Sequence, residues 1–376
     1  MKKIIWVLFG VLFLIITIVS CEDSNNAKKE NGINSDVQID VENYNYTIEK
    51  NYTFKNKGER LLGIGVNEGA IGFEKAFSKA KETKFNVIEL SQQWDELETE
   101  KEKYSNFYLD IANDYYPEHG IKISLNLNPI DTTNLRVPED LKNKKLNDME
   151  VIERYKKVLD YVISRTDKLE IVNLAMGNEI DIYLGNDEDK WEEYLEFYKE
   201  IVEYSHDKYP QVKIGTKITF EGISNNNIEE SKNINQYSDI IMTTYYPIKN
   251  DIVENPLVVH EDFKKVVELY PNKKIYFSEI GYPSSTYLHS SEVKQAEFIR
   301  ESFKAWDRNS NEIVLLNFVW LHDISSKELN HYKKYYGISS KGFLEYLGTL
   351  GIRTNDGKDK LAFKALKEET KIRNWE

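Results

Sequence analysis

Eight short apolar runs, separated by longer segments of helical spacing, constrain this chain more than any other feature. They are LLGIGV (61–66), NVIEL (86–90), IKISLNL (121–127), LEIVNLAM (169–176), VKIGTKI (212–218), DIIMTTYY (239–246), KIYFSE (274–279) and EIVLLNFVW (312–320). Alternation of such runs with helices is the pattern of parallel βα units. The clearest helix is DEDKWEEYLEFYKEIVEYSHDKY, where Trp191, Tyr194, Tyr198, Ile201 and Val202 share one stripe. NDMEVIERYKKVLDYVISRT repeats the pattern with Ile152, Tyr155, Leu159 and Val162. SEVKQAEFIRESFKAWD starts on a serine cap, and LAFKALKEET supplies a last helix. EGISNNNIEESKNINQYS, between runs five and six, is poor in apolar residues and shows no helical stripe. Eight strands with intervening helices in roughly 320 residues predict an α/β domain over 56–376, a (β/α)8 barrel. An open doubly wound sheet would carry a glycine-rich phosphate loop after its first strand. GIGVNEGAIGF has neither that spacing nor a Walker lysine.

In a barrel the reacting groups stand at the C-terminal ends of the strands, and this rule ranks the acids. The dipeptide Asn-Glu occurs three times. Asn311-Glu312 opens strand eight, on the opposite face; Asn67-Glu68 lies in the loop after strand one; Asn178-Glu179 ends strand four. A second acid, Glu279, ends strand seven before a Gly-Tyr-Pro turn. Carboxylates on strands four and seven face each other across the mouth, as retaining glycoside hydrolysis requires: one attacks the sugar, the other protonates the leaving oxygen, about 5–5.5 Å away. An ionised nucleophile beside the acid keeps the acid protonated until the nucleophile is consumed.

These segments carry a resemblance. GNE at strand four and SEIGYPS at strand seven resemble the motifs of the clan A glycoside hydrolases, the retaining "4/7" barrels. SEIGYPSS in particular is similar to the nucleophile segment of the endo-1,3-glucanase and arabinogalactan endo-1,4-galactanase families. The resemblance implies Glu179 as acid/base, Asn178 as a ligand of the sugar 2-hydroxyl, and Glu279 as nucleophile. It also implies a tyrosine at the end of strand six that hydrogen-bonds the nucleophile, Tyr246 ahead of Tyr245, and a tryptophan floor at Trp320 after strand eight. Asn126 and Asn128 on strand three, and Gln92, Gln93 and Trp94 after strand two, are further candidates for hydroxyl contacts. GIRTNDGKDKLAFKAL resembles the ending that follows strand eight in barrel glycosidases. The chain departs from the clan where many members carry an arginine near the end of strand two and a histidine before the strand-six tyrosine; Gln92 and Thr244 stand there. The implied activity is a retaining β-glycosidase, endo-acting on a polysaccharide or oligosaccharide of β-glucan or β-galactan type, working as a monomer without cofactor. The alternative is a non-catalytic surface glycan-binding lipoprotein with the same barrel.

Composition narrows the partners. A net charge of −13 and a pI near 5.2, with no basic cluster among the aromatics, argue against nucleic acid. The N-terminal MKKIIWVLFGVLFLIITIVSC has the layout of a secretory signal peptide over 1–20. Its last four residues resemble the lipobox of bacterial lipoproteins, which implies lipid on Cys21 and a protein exported and held at a membrane, facing the periplasm or the cell surface. Cys21 is the only cysteine, so no thiol remains for a disulfide or a nucleophile. The stretch 21–55 reads as a linker that begins as a polar tether and passes into an alternating pattern at Val37, Ile39, Val41, Tyr44 and Tyr46. His322-Asp323 invites a metal or triad reading, but six histidines without H-x-x-x-H spacing and no G-x-S-x-G elbow disfavour both.

Overall fold

Each apolar run forms a strand. In the computed structural model, which describes residues 52–105 and 107–375, these are β1 (Leu61–Ile64), β2 (Val87–Gln93), β3 (Lys122–Asn128), β4 (Ile171–Ala175), β5 in two pieces (Ile214–Gly215 and Lys217–Thr219), β6 (Ile240–Tyr245), β7 (Lys274–Ile280) and β8 (Ile313–Phe318). The segment expected to be a signal peptide, Cys21, the expected tether after it and the alternating stretch at 37–46 lie outside the described residues. Every neighbouring pair is parallel, and β1 pairs both β2 and β8, with Leu62 opposite Leu316. β4 pairs the first piece of β5 and β6 pairs the second. The break falls at Thr216, whose hydroxyl donates to the Met176 carbonyl (2.9 Å) and meets the Tyr194 hydroxyl (2.7 Å). The fold is a (β/α)8 barrel.

The helices follow in order: α1 (Phe73–Ala80), α2 (Phe107–Glu118), α3 (Met149–Ser164), α4 (Glu188–Lys208), α5 (Ile228–Asn235), α6 (Val259–Leu269), α7 (Glu292–Arg308), α8 (Ser326–Tyr336), α9 (Lys341–Gly348) and α10 (Leu361–Ile372). The caps are local chemistry. Asp148 accepts from the Glu150 amide before α3, and Ser291 accepts from the Lys294 amide before α7. The apolar-poor segment before β6 forms a π-turn over Gly222–Asn226 and the short α5. Two helices, α8 and α9, are inserted between β8 and the closing α10, in a stretch for which no helix is predicted.

Alternation along the strands divides the core. One set, among them Leu62, Ile88, Leu125, Leu174 and Ile241, packs under the helices. The other set, Val87, Ala175, Ile240, Met242, Tyr276 and Leu315, forms a separate cluster that fills the lumen. Above that plug the same alternation turns Glu89, Asn126, Lys217 and Asn317 inward. Trp94 corrects an expectation: it is fully buried, its indole donates to Glu98 (2.8 Å), and its ring meets Tyr155 edge-on at 5.1 Å. It is a core residue, because the chain turns into a helical turn directly after β2 and carries the ring into the helix layer.

Candidate active site

Glu179 is placed by an unusual backbone. Gly177, two residues beyond the end of β4, has φ +104°, where a Cβ would come within 2.7 Å of Ile180. Glu179 itself is left-handed (φ 47°), as is Thr132 (φ 52°) across from it. Such a conformation costs a non-glycine residue about 1–3 kcal/mol and persists where neighbours over-determine it. Here a hairpin after β3 does so: the Asn178 amide donates to the Ile130 carbonyl (3.0 Å) and the Thr132 amide to the Asn178 carbonyl (2.8 Å). The carboxyl thus swings inward, where it accepts from the hydroxyls of Thr244 (2.7 Å) and Thr132 (3.2 Å). Burial, with the charge of Glu279 adding to it, pushes Glu179 up to about 8.

Glu279 is aimed by a bulge. Thr243 and Thr244 of β6 face Phe277 and Glu279, and Leu316 and Phe318 of β8 face Phe277 and Ile280, so β7 carries one extra residue at Ser278–Glu279. A bulge re-aims side chains in this way. The Glu279 carboxylate accepts from the Tyr246 hydroxyl (2.8 Å) and from the Lys217 ammonium (3.1 Å). Lys217 is fully buried and also donates to Glu89 (2.7 Å) on β2. Burial works against the Lys217 charge, but the two glutamates overcome it and hold the lysine above its usual range. Glu89 is pushed up to about 7 by burial, against the pull of Lys217.

The inserted helices roof this pair. Trp320 stacks on Tyr332 of α8 with centroids 5.9 Å apart and planes 20° apart. A side chain at Gly65 would meet the indole at 2.8 Å, so the glycine lets Trp320 settle over β1. One turn further along α8 the Tyr335 hydroxyl donates to Asp131, while Arg136 donates to that hydroxyl (3.0 Å) and pairs with Asp95 and Glu96. Asp131 further accepts from Asn178 (2.8 Å) and Gln93 (3.0 Å). α8 therefore bridges the mouth from β8 to the loop after β3. Tyr346 of α9 meets Tyr246 edge-on at 5.3 Å. Burial, then the charges of Glu179 and Glu279, hold the Tyr346 phenol protonated; Tyr336 is raised likewise by burial, Asp131 and these acids.

Of the residues singled out in the sequence, Glu179, Asn178, Glu279, Tyr246 and Trp320 thus stand at one mouth. Tyr245 does not. It is buried, donates to Asp262 of α6 (2.6 Å) and stacks with Phe298, because adjacent strand residues point to opposite faces. Asn126 and Asn128 point inward and are fully buried, with Asn128 donating to Ser91 (2.9 Å). Gln92 is also buried and donates to the Ser91 carbonyl (2.8 Å). Asn67 exchanges hydrogen bonds with the His322 backbone, clipping the loops after β1 and β8 together. His322 faces Arg353 (3.0 Å) and Asp323 pairs with Lys360 (2.6 Å), both structural contacts. Among the described residues no three His, Cys, Asp or Glu side chains converge as a metal set. Lys217, Glu89, Thr132, Thr244, Asp131 and the roof tyrosines were not singled out beforehand. The readable signal was a charge inside each of two apolar runs, Glu89 in NVIEL and Lys217 in VKIGTKI.

No family model and no curated protein matches the sequence. Among solved structures, the chain is similar to a GH5_18 protein of Bifidobacterium longum subsp. longum in complex with Manβ1-4GlcNAc, at 10% identity and TM-score 0.65, over 84% of this chain and 79% of that one. A GH5_18 protein of Streptomyces cattleya, also in complex with Manβ1-4GlcNAc, gives 13% identity and TM-score 0.65, over 84% and 81%. An exo-β-1,4-mannosidase from Opitutaceae bacterium strain TAV5 gives 16% and 0.63, over 87% and 62%. At these identities the likeness is one of fold.

Proposed function

We propose that the protein is a retaining β-glycosidase of the clan A type, with Glu279 as nucleophile and Glu179 as acid/base. One observation carries the reading. Two carboxyl groups at the ends of β4 and β7 feel each other's charge, and their surroundings split their roles: Glu179 is held protonated at neutral pH, while Glu279 accepts from a cation and a phenol. A carboxyl kept protonated beside one bound by a cation and a phenol divides the work into acid and nucleophile. Glu279 attacks the anomeric carbon as Glu179 protonates the departing oxygen; Glu179, now anionic, then takes a proton from the water that cleaves the ester. Asn178 presents its amide beside the acid, and Trp320 offers an aromatic face to the sugar.

The substrate is a β-linked oligosaccharide or polysaccharide. The motif resemblance supports endo-action on a β-glucan or β-galactan. The roof formed by α8 favours a second reading, attack near a chain end, and the bound Manβ1-4GlcNAc of the fold neighbours adds β-mannosides to the set. Proton NMR of aryl β-glucoside, β-galactoside and β-mannoside hydrolysis tests the mechanism: the first sugar released is expected as the β-anomer. An α-anomer would mark an inverting hydrolase instead, and no hydrolysis of any glycoside or polysaccharide would favour the glycan-binding alternative.

The N-terminal sequence supports export and lipid attachment at Cys21, with the barrel tethered to a membrane. Incorporation of labelled palmitate into the wild type and its loss in Cys21→Ser is the expected result.

A further inference from the structure

We propose that Lys217 and Glu89 form a positioning pair beneath Glu279, in which Lys217 fixes the nucleophile as an anion and Glu89 keeps the ammonium paired while Glu279 is esterified. This rests on the reading of Glu279 as nucleophile. The geometry is a buried triad: the Lys217 side chain is fully enclosed, with its Nζ 2.7 Å from Glu89 and 3.1 Å from Glu279. A lysine in that position needs compensation, since an unpaired ammonium taken from water is costly.

The reaction changes what Lys217 sees. With Glu89 ionised, the buried set before attack is Glu89⁻, Lys217⁺, Glu279⁻ and protonated Glu179; burial pushes Glu89 up to about 7 and Glu179 up to about 8, so this state belongs to the interval between those values. When the Glu279 oxygen bonds to the anomeric carbon and the glycosidic bond breaks, Glu279 becomes a neutral ester. The leaving oxygen takes the proton of Glu179, which becomes an anion. The total charge of the set is unchanged, but the partner of Lys217 at 3.1 Å has lost its charge. Glu89 remains, so the ammonium is never left alone. With only one acid beneath it, Lys217 would hold Glu279 too tightly and resist its esterification.

The groups facing Glu279 are Lys217 on β5, Glu89 on β2, Tyr246 on β6, Glu179 after β4, Tyr332 and Tyr336 on α8, and Tyr346 on α9. Of these Lys217 alone is cationic, and removing it leaves the nucleophile among acids and phenols. Lys217 is the one positive charge at the carboxylate and Glu89 is the acid that shares it, so removing the one or the other is expected to act on Glu279 with opposite sign, which loss of packing alone would not do.

The test is a 13C NMR titration of protein labelled at the glutamate carboxyl carbons, with Glu279 assigned from Glu279→Gln. In Lys217→Met the Glu279 midpoint is expected to rise by about 1–3 units, the span for loss of an opposite charge at this range. Lys217→Arg should restore it towards wild type. In Glu89→Gln the midpoint should fall, because Lys217 then serves one acid. The acidic limb of kcat/KM should move with each midpoint, upward for Lys217→Met and downward for Glu89→Gln. If Lys217→Met does not fold, the double variant with Glu89→Gln carries the test, and its Glu279 midpoint must still lie above wild type. An unmoved midpoint, or shifts of the same sign in both single variants, overturns the pair. A wild type without hydrolytic activity but with the opposite shifts would leave the pair standing and remove the glycosidase reading instead.

Discussion

Glu279→Ala is expected to lower kcat on aryl β-glycosides on the order of 10⁴–10⁶-fold, the scale seen when a covalent nucleophile is removed from a cooperating set. Several contacts converge on this carboxylate. The β7 bulge aims it, Tyr246 donates to one oxygen and Lys217 to the other. Truncation removes the attacking atom and leaves Lys217 and Tyr246 pointing at a void large enough for a small anion. Azide added to the variant should restore turnover and give the α-glycosyl azide, since it attacks from the face that Glu279 occupied. Kinetics and product NMR read both outcomes. Unchanged hydrolysis in this variant would remove Glu279 from the mechanism, whereas a stable fold with azide rescue separates loss of chemistry from loss of structure.

The second large effect concerns the proton. Glu179→Ala is expected to slow substrates with poor leaving groups by about 10²–10⁴-fold, the usual contribution of general acid catalysis, and activated aryl glycosides less. Azide should then give the β-glycosyl azide, trapping the glycosyl-enzyme from the face where Glu179 normally activates water. The pH profile carries the sign. Burial and the Glu279 charge raise Glu179 to about 8, so the free enzyme holds its acid protonated through neutrality and loses it as pH rises through that value. The basic limb of kcat/KM should fall there in the wild type and vanish in Glu179→Gln. A basic limb that persists in the glutamine variant would assign it to another group.

How far the chain could be read in advance depends on what each residue's neighbours are. The strands were legible because burial on both faces leaves continuous apolar runs, and the strand-end rule then selected Glu179 over the acids of the other Asn-Glu pairs. Tyr245 and Tyr246 were not separable, because a single residue of register decides which of them faces Glu279 and which faces Asp262. Trp94 looked like a strand-end aromatic until the helical turn after β2 carried it into the core. The roof was invisible for a different reason: α8 meets the barrel mouth through tyrosines rather than through residues of the core, so no aliphatic stripe announces it. Lys217 and Glu89 sat inside runs read as wholly apolar. Their charges make sense only once β2, β5 and β7 converge in the lumen.

The roof has a consequence for how the specificity of such a protein can change over time. α8 begins on a reciprocal Ser325–Glu328 capping box and is fastened to the barrel through Tyr335, Asp131 and Arg136, with no core residue of its own. The carboxylates and the surface above them thus answer to separate constraints. Glu179 is held by the hairpin after β3 and Glu279 by the bulge in β7, and neither can drift without cost to the barrel, while residues 326–348 can be rewritten one tyrosine at a time. Divergence among descendants of this chain is therefore expected to concentrate in that insertion, with the chemistry inherited intact beneath it.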